Sequence, residues 1–131
     1  MAVGSQHADG AARDFETVFR RDCPTREILD HLTGRWGLLV LAALRPGPLR
    51  FYELRDRIDG ISEKMLSQTL RVLDRDGLVE RTVEPAKPPK VSYELTELGA
   101  AGAAHLCALI EWIGDSAPEI TAAQRRFDGT R

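Results

Sequence analysis

The chain has 131 residues, 43% of them hydrophobic and 29% charged, enough for one domain with a real core and the ordinary balance of a globular protein. A formal net charge of −2 excludes a generic basic protein that coats nucleic acid, so any such role must rest on a local basic face. No apolar run approaches the roughly 20 residues that span a bilayer, and the start, Met1 to Asp14, has no apolar segment of the signal-peptide kind.

Residues 1–13 are rich in Gly, Ala and Asp and are expected to be a disordered tip that includes His7. Phe15, Val18 and Phe19 then recur at helical spacing and predict a short amphipathic helix. Cys23-Pro24 marks the next helix start, since proline is favoured at the first helical position. Ile28, Leu29 and Leu32 supply its apolar face, His31 stands in its last turn and Gly34 ends it. Trp36 to Leu44 is a dense apolar stretch that reads as a buried helix, and Arg45-Pro46-Gly47-Pro48 cannot continue it.

Phe51, Leu54 and Ile58, spaced i, i+3, i+7, predict a short helix, followed by an Asp59-Gly60 turn with Ile61 tucked into the core. Ser62 is a good N-cap, and Glu63 just inside it complements the helix dipole. A strong helical pattern runs on to Asp76, with Gly77 at the C′ position. The period then changes to 2: Leu78, Val79, Thr82 and Val83 suit one strand, and Val91, Tyr93 and Leu95 a second. Between them Glu84-Pro85-Ala86-Lys87-Pro88-Pro89-Lys90 is a stiff basic loop. Thr96 caps a long helix through about Asp115, and Pro118 to Phe127 adds a short last helix.

The fold class is therefore mainly α with a small β-hairpin. A helix-turn-helix followed by a hairpin is the winged-helix topology. The expected organisation is the 1–13 tip, one winged-helix domain with its dimerisation helices over 14–115, and a short helix and tail over 116–131.

The helix from Ser62 to Asp76 sorts into two faces. Leu66, Leu70 and Leu73 bury inward, while Lys64, Gln68, Arg71 and Arg75, at i, i+4, i+7 and i+11, form a polar stripe. Such side chains reach base edges and phosphates in a DNA major groove. Ser67 lies near that face as a phosphate donor, and Ser62 belongs to the N-terminal end that enters the groove. There Glu63 is the only opposing charge. Downstream, Lys87 and Lys90 are placed to reach phosphates or the adjacent minor groove, with Pro85, Pro88 and Pro89 limiting the entropy lost on docking. The alternative readings are a charged surface helix and a solvated hairpin tip whose prolines block edge pairing.

From Cys23 to Trp112 the chain resembles the HxlR-type winged-helix family, relatives of the MarR-like regulators. The resemblance is carried by Cys23-Pro24, Gly34-Arg35-Trp36, Phe51-Tyr52-Glu53-Leu54, Gly60-Ile61-Ser62-Glu63-Lys64-Met65-Leu66, Leu70-Arg71-Val72-Leu73 and Asp76-Gly77-Leu78-Val79. Pro88-Pro89-Lys90-Val91-Ser92-Tyr93 and Leu95-Thr96-Glu97-Leu98-Gly99 complete it. Gly37 departs from it, because similar proteins carry Ser or Thr after the tryptophan. The resemblance implies a sequence-specific transcription regulator that acts as a homodimer on an inverted repeat in double-stranded DNA, repressing or activating nearby genes. The chain is accordingly expected to be a cytoplasmic regulator and a repressor.

Reading a palindrome needs two modules about 34 Å apart, and the terminal helices are the expected dimer-makers. Leu98, Ala101, His105, Ala108 and Trp112 lie along one side of the long C-terminal helix, with Leu106, Leu109 and Ile113 on a neighbouring side. So broad an apolar surface needs two partners, its own core and another chain. Phe15, Val18 and Phe19 are placed to cross onto that chain.

Cys23 has two readings. At a helix N-cap, near Arg20, Arg21 and Arg26 with Asp22 opposing, its thiol is expected to be acidified. The resemblance adds that some members sense oxidants or electrophiles through a cysteine here. The other reading is a cysteine that only caps and packs. Cys107 reads as a small buried hydrophobe. The two cysteines form no disulfide framework or metal-ligand spacing, which fits a reducing compartment, and neither metal nor cofactor is expected.

No Gly-rich phosphate loop, nucleophile motif or carboxylate pair points to an enzyme. Two rivals remain: a winged helix that only binds protein, which would not need the polar stripe, and a regulator induced by an apolar small molecule rather than by thiol chemistry.

Overall fold

The computed structural model describes residues 15–130, so the expected 1–13 tip lies outside the described residues. Chain order gives α1 (Pro24–Thr33), α2 (Arg35–Leu44), β1 (Leu49–Arg50), α3 (Phe51–Arg57), α4 (Glu63–Arg75), β2 (Val79–Glu84), β3 (Lys90–Leu95) and α5 (Glu97–Gly129). Ahead of α1, the described part of the expected amphipathic helix is residues 15–17, with turns following over 18–19. Phe15 and Phe19 still meet edge to face, ring centroids 6.1 Å apart, and both stay largely exposed.

The core is built around α2. Val40, Leu41 and Leu44 are sealed from solvent and pack with Leu54, Ile58, Ile61, Leu66, Leu70, Leu73, Val79, Ala103 and Leu106. Removing one such leucine side chain costs about 2–5 kcal/mol. Gly37 is buried in α2, and a Cβ there would stand 2.0 Å from the His31 carbonyl oxygen. That approach accounts for the departure from Ser or Thr: α1 and α2 cross too closely for any side chain.

The apolar face expected on α1 is only partly used. Leu32 packs on the core, whereas Ile28 and Leu29 are exposed, because α1 rests chiefly on α2 and reaches the core at its C-terminal end.

Helix α4 begins where Ser62 Oγ accepts from the Met65 N–H at 3.0 Å, and Leu66, Leu70 and Leu73 are buried as their spacing requires. It closes in a Schellman turn. The Leu78 N–H donates to the Leu73 carbonyl and the Gly77 N–H to the Asp74 carbonyl, both at 3.0 Å, with Gly77 at φ +76°, a conformation open chiefly to glycine.

The sheet has three antiparallel strands in the order β1-β3-β2, one more than the expected hairpin. The third, β1, is two residues long and pairs Leu49 with Tyr93 and Arg50 with Ser92.

Helix α5 corrects the expected C-terminal break. It runs unbroken for 33 residues with Pro118 inside it, about 50 Å at 1.5 Å per residue. One missing N–H does not outweigh the alanine-, leucine- and arginine-rich turns on either side of the proline. At its start Thr96 Oγ1 accepts from the Gly99 N–H at 3.0 Å and donates to the Gly77 carbonyl at 2.7 Å, while the Thr96 N–H donates to the Leu78 carbonyl at 3.1 Å. No helix among the described residues is long and apolar enough to cross a membrane.

Candidate DNA-binding surface

The α4 helix carries its polar stripe outward. Lys64, Ser67, Gln68, Arg71 and Arg75 are all exposed, on the side opposite the buried leucines. None of the cations in this stripe takes part in an ion pair among the described residues. Glu63, the acid in the first turn of α4, is ion-paired: Arg55 Nη1 donates to its Oε1 at 2.8 Å, while Arg55 also holds Asp56. Hydrogen bonds to Asp56 first and Glu63 second hold the Arg55 pKa above its ordinary value. The guanidinium lies 4.6 Å over the Tyr52 ring, so α3 braces the start of α4.

Two flanks of α4 differ. On one, Ser67 borders a groove of about 560 Å³ between α3 and the wing, lined by Arg50, Tyr52, Arg81, Lys87, Lys90 and Tyr93 among others. Lys87 and Lys90, singled out in the sequence, therefore share a cleft with Arg50 and Arg81, which were not. On the other flank Gln68 borders a smaller apolar pocket of about 300 Å³ with Trp36, Met65, Thr69 and Val72.

At the far end of α4, His31 Nδ1 stands 2.7 Å from Asp76 Oδ2, both side chains mostly buried, at 20% and 11% exposure. His31, in the last turn of its own helix, thereby ties α1 to the C-cap of α4.

Cys23 occupies the α1 N-cap without a side-chain capping bond. Its Sγ is 3.6 Å from Thr17 Oγ1. The Thr17 hydroxyl is the chief cause of a thiol pKa below its ordinary value, with the Arg26 backbone N–H next. Arg21 and Arg26 line the shallow cavity beside it together with Asp22, Glu27 and Asp30. Cys107 is partly buried on α5. No cluster of metal-binding side chains occurs among the described residues.

The residues proposed for dimer contact fall on two surfaces. Leu98, Ala101, His105, Leu109 and Trp112 are exposed along α5, with Trp112 at 59%, whereas Gly99, Ala103 and Leu106 of the same helix are buried. Phe15 and Phe19 are exposed and Val18 is partly buried.

A compact helical core, a capped and outward-facing second helix of a helix-turn-helix, and a hairpin wing beside it define a winged helix-turn-helix protein. The model of the HxlR-like helix-turn-helix family matches residues 31–121, and the chain belongs to that family of transcriptional regulators, which are not enzymes. It is 47% identical over 107 residues, 82% of this chain and 85% of the relative, to YtfH of Escherichia coli, described as an uncharacterized HTH-type transcriptional regulator. The solved structure of a YtfH from Salmonella typhimurium is similar at 45% identity and a TM-score of 0.78, covering 82% of this chain and 96% of that one. The structure of HypR, described as a redox regulator in its oxidized form, is similar at 35% identity and a TM-score of 0.66, covering 71% and 96%.

Proposed function

We propose that this protein is a cytoplasmic repressor that binds an inverted repeat in double-stranded DNA as a homodimer. In this reading α4 enters the major groove with Lys64, Gln68, Arg71 and Arg75 toward bases and phosphates, and Ser62 and Ser67 at the groove edge. Lys87 and Lys90 bring the wing to the backbone. The observation that carries it is the stripe of cations on α4 that enter no ion pair among the described residues, with Glu63 at its start held by Arg55. A winged helix that served protein contacts alone would gain nothing from holding those cations free.

The homodimer rests on α5. Its inner side fills the monomer core through Ala103 and Leu106, while Leu109, Ile110, Trp112 and Ile113 stand in solvent, an apolar area that a second copy would cover. Phe15, Phe19, Ile28 and Leu29 are exposed as well and are a second apolar area for the partner to cover.

The test is selection of binding sites from a random-sequence duplex pool with the full chain. Recovery of an inverted repeat with half-sites about one helical turn apart supports the reading. Recovery of nothing beyond the input pool counts against it.

A second layer has its own observation: the thiol of Cys23, acidified by Thr17 and the first turn of α1, is the group an oxidant or electrophile would meet, and the similar HypR is described as a redox regulator. Induction by a small apolar ligand is the competing route. Loss or gain of DNA binding on mild oxidation, absent in Cys23→Ser, assigns the signal to the thiol.

A further inference from the structure

The start of α4 carries an acid among cations. Glu63 is the first residue of the helix and the acid of its first turn, while Lys64, Arg71 and Arg75 are exposed along the same helix. A carboxylate at a helix N-terminus is favoured by the dipole, but that interaction asks for no particular rotamer. Here the rotamer is held. Arg55 Nη1 donates to Glu63 Oε1 at 2.8 Å, and Arg55 Nε and Nη2 donate to Asp56 Oδ1 at 3.2 and 3.1 Å. The guanidinium lies 4.6 Å over the Tyr52 ring. Tyr52 meets Phe51 edge to face at 5.5 Å, and Phe51 packs against the core. A chain of side chains thus runs from the core to the Glu63 carboxylate.

The bridge adds little to stability, because the Glu63 side chain is 57% exposed and exposed ion pairs contribute little. Nor does it prepare a phosphate site. One cation held between two carboxylates leaves the trio with a net negative charge, which repels a DNA backbone. What stays free is Glu63 Oε2, which enters no hydrogen bond among the described residues. An ionised carboxylate oxygen can only accept. In the major groove guanine presents two acceptors, and thymine an acceptor beside a methyl group. The adenine amino donor stands beside the N7 acceptor, which repels a carboxylate. Cytosine is the base that presents an amino donor with no acceptor next to it.

We propose that Glu63 is a specificity-determining residue that accepts a hydrogen bond from the N4 amino group of one cytosine in each half-site, with Arg55 as the residue that positions it. The inference rests on the DNA-binding reading of α4 and adds to it the identity of one base. The N-terminal end of a recognition helix is the part that meets base edges, and Glu63 opens that end. Because Arg55 already holds Oε1, Oε2 is presented with less rotamer entropy left to lose on binding. The negative trio also selects by rejection: guanine or thymine at that position sets acceptor against acceptor.

The experiment repeats the random-pool selection with full-length wild type, Glu63→Gln, Arg55→Ala and Arg55→Lys, each checked by thermal melting. Wild type is expected to select cytosine at one position of each half-site. Glu63→Gln should shift that position, and no other, toward adenine, whose N6 and N7 a carboxamide matches. Arg55→Ala should weaken the cytosine preference without changing the base, and Arg55→Lys should recover part of it. A second measurement replaces that cytosine with 2-pyrimidinone, which lacks only the amino group. Wild type should lose affinity by about 5- to 150-fold, the range for one base contact, and Glu63→Ala far less. Identical base preferences in wild type and a Glu63→Gln variant that melts like it overturn this inference and leave the α4 reading intact, since a purely structural bridge changes affinity for all sequences alike. An equal loss on 2-pyrimidinone in wild type and Glu63→Ala does the same. A cytosine preference untouched in Arg55→Ala overturns the positioning role of Arg55. Failure of wild type to select any sequence overturns both this inference and the reading on which it rests.

Discussion

His31 Nδ1 and Asp76 Oδ2 meet at 2.7 Å across 45 residues of sequence, joining the last turn of α1 to the residue that ends α4. Truncating either side chain leaves the other polar group mostly buried without its partner. His31→Ala is therefore expected to lower stability by about 1.5–3 kcal/mol, the range for a hydrogen bond to a charged group. Urea denaturation followed by Trp fluorescence checks it. An unchanged midpoint would show that the pair contributes nothing to holding α1.

Gly37→Ser places a Cβ where the His31 carbonyl oxygen stands 2.0 Å away, and that oxygen belongs to backbone that cannot swing aside. The substitution should cost about 1–3 kcal/mol as overpacking and strain the α1–α2 junction. A thermal melt equal to wild type would mean that the two helices separate freely.

Arg71→Ala should weaken binding to the selected duplex by about 1–3 kcal/mol if its guanidinium reads a base, with little change on random DNA. Equal loss on both duplexes would move Arg71 to the phosphates. Lys87→Ala/Lys90→Ala should act uniformly on both and flatten the salt dependence.

Cys23 should react with iodoacetamide in proportion to its thiolate. Because its pKa is lowered chiefly by Thr17, the half-maximal rate in a Cys107→Ala background should fall at a pH below that of an unperturbed thiol. Thr17→Val should raise it. Coincident profiles for the two proteins would show that the hydroxyl does not set the acidity.

Trp112→Ala removes the largest exposed side chain in the middle of α5. Buried aromatic anchors dominate interface energies, so the proposed dimer should dissociate at higher protein concentration in the variant, read by sedimentation equilibrium. Identical association in wild type and variant would move the interface away from this face.

The α4 helix was legible because its signals are local: a Ser62 cap, leucines at helical spacing and Gly77 at the stop. The wing was legible from the change of period after Leu78. What escaped depended on distant partners. The β1 strand is two residues that become a strand only by pairing with Tyr93 and Ser92. The spacing of Ile28 and Leu29 predicted an apolar face correctly, but nothing in one sequence distinguishes a face turned to the core from one turned outward. Arg50 and Arg81 lie on separate elements, and only the folding of the wing against α3 gives them one groove. Proline at position 118 signalled a break that the surrounding helix-forming turns overrode.

Thr96 holds both Gly77 and Leu78 through its hydroxyl and its backbone N–H, at the place where α4 ends, β2 begins and α5 starts. The three elements are thereby riveted at a single point. The 33-residue α5 therefore meets the end of α4 and the start of the wing at one residue, and a substitution at Thr96 would loosen all three elements together rather than one of them.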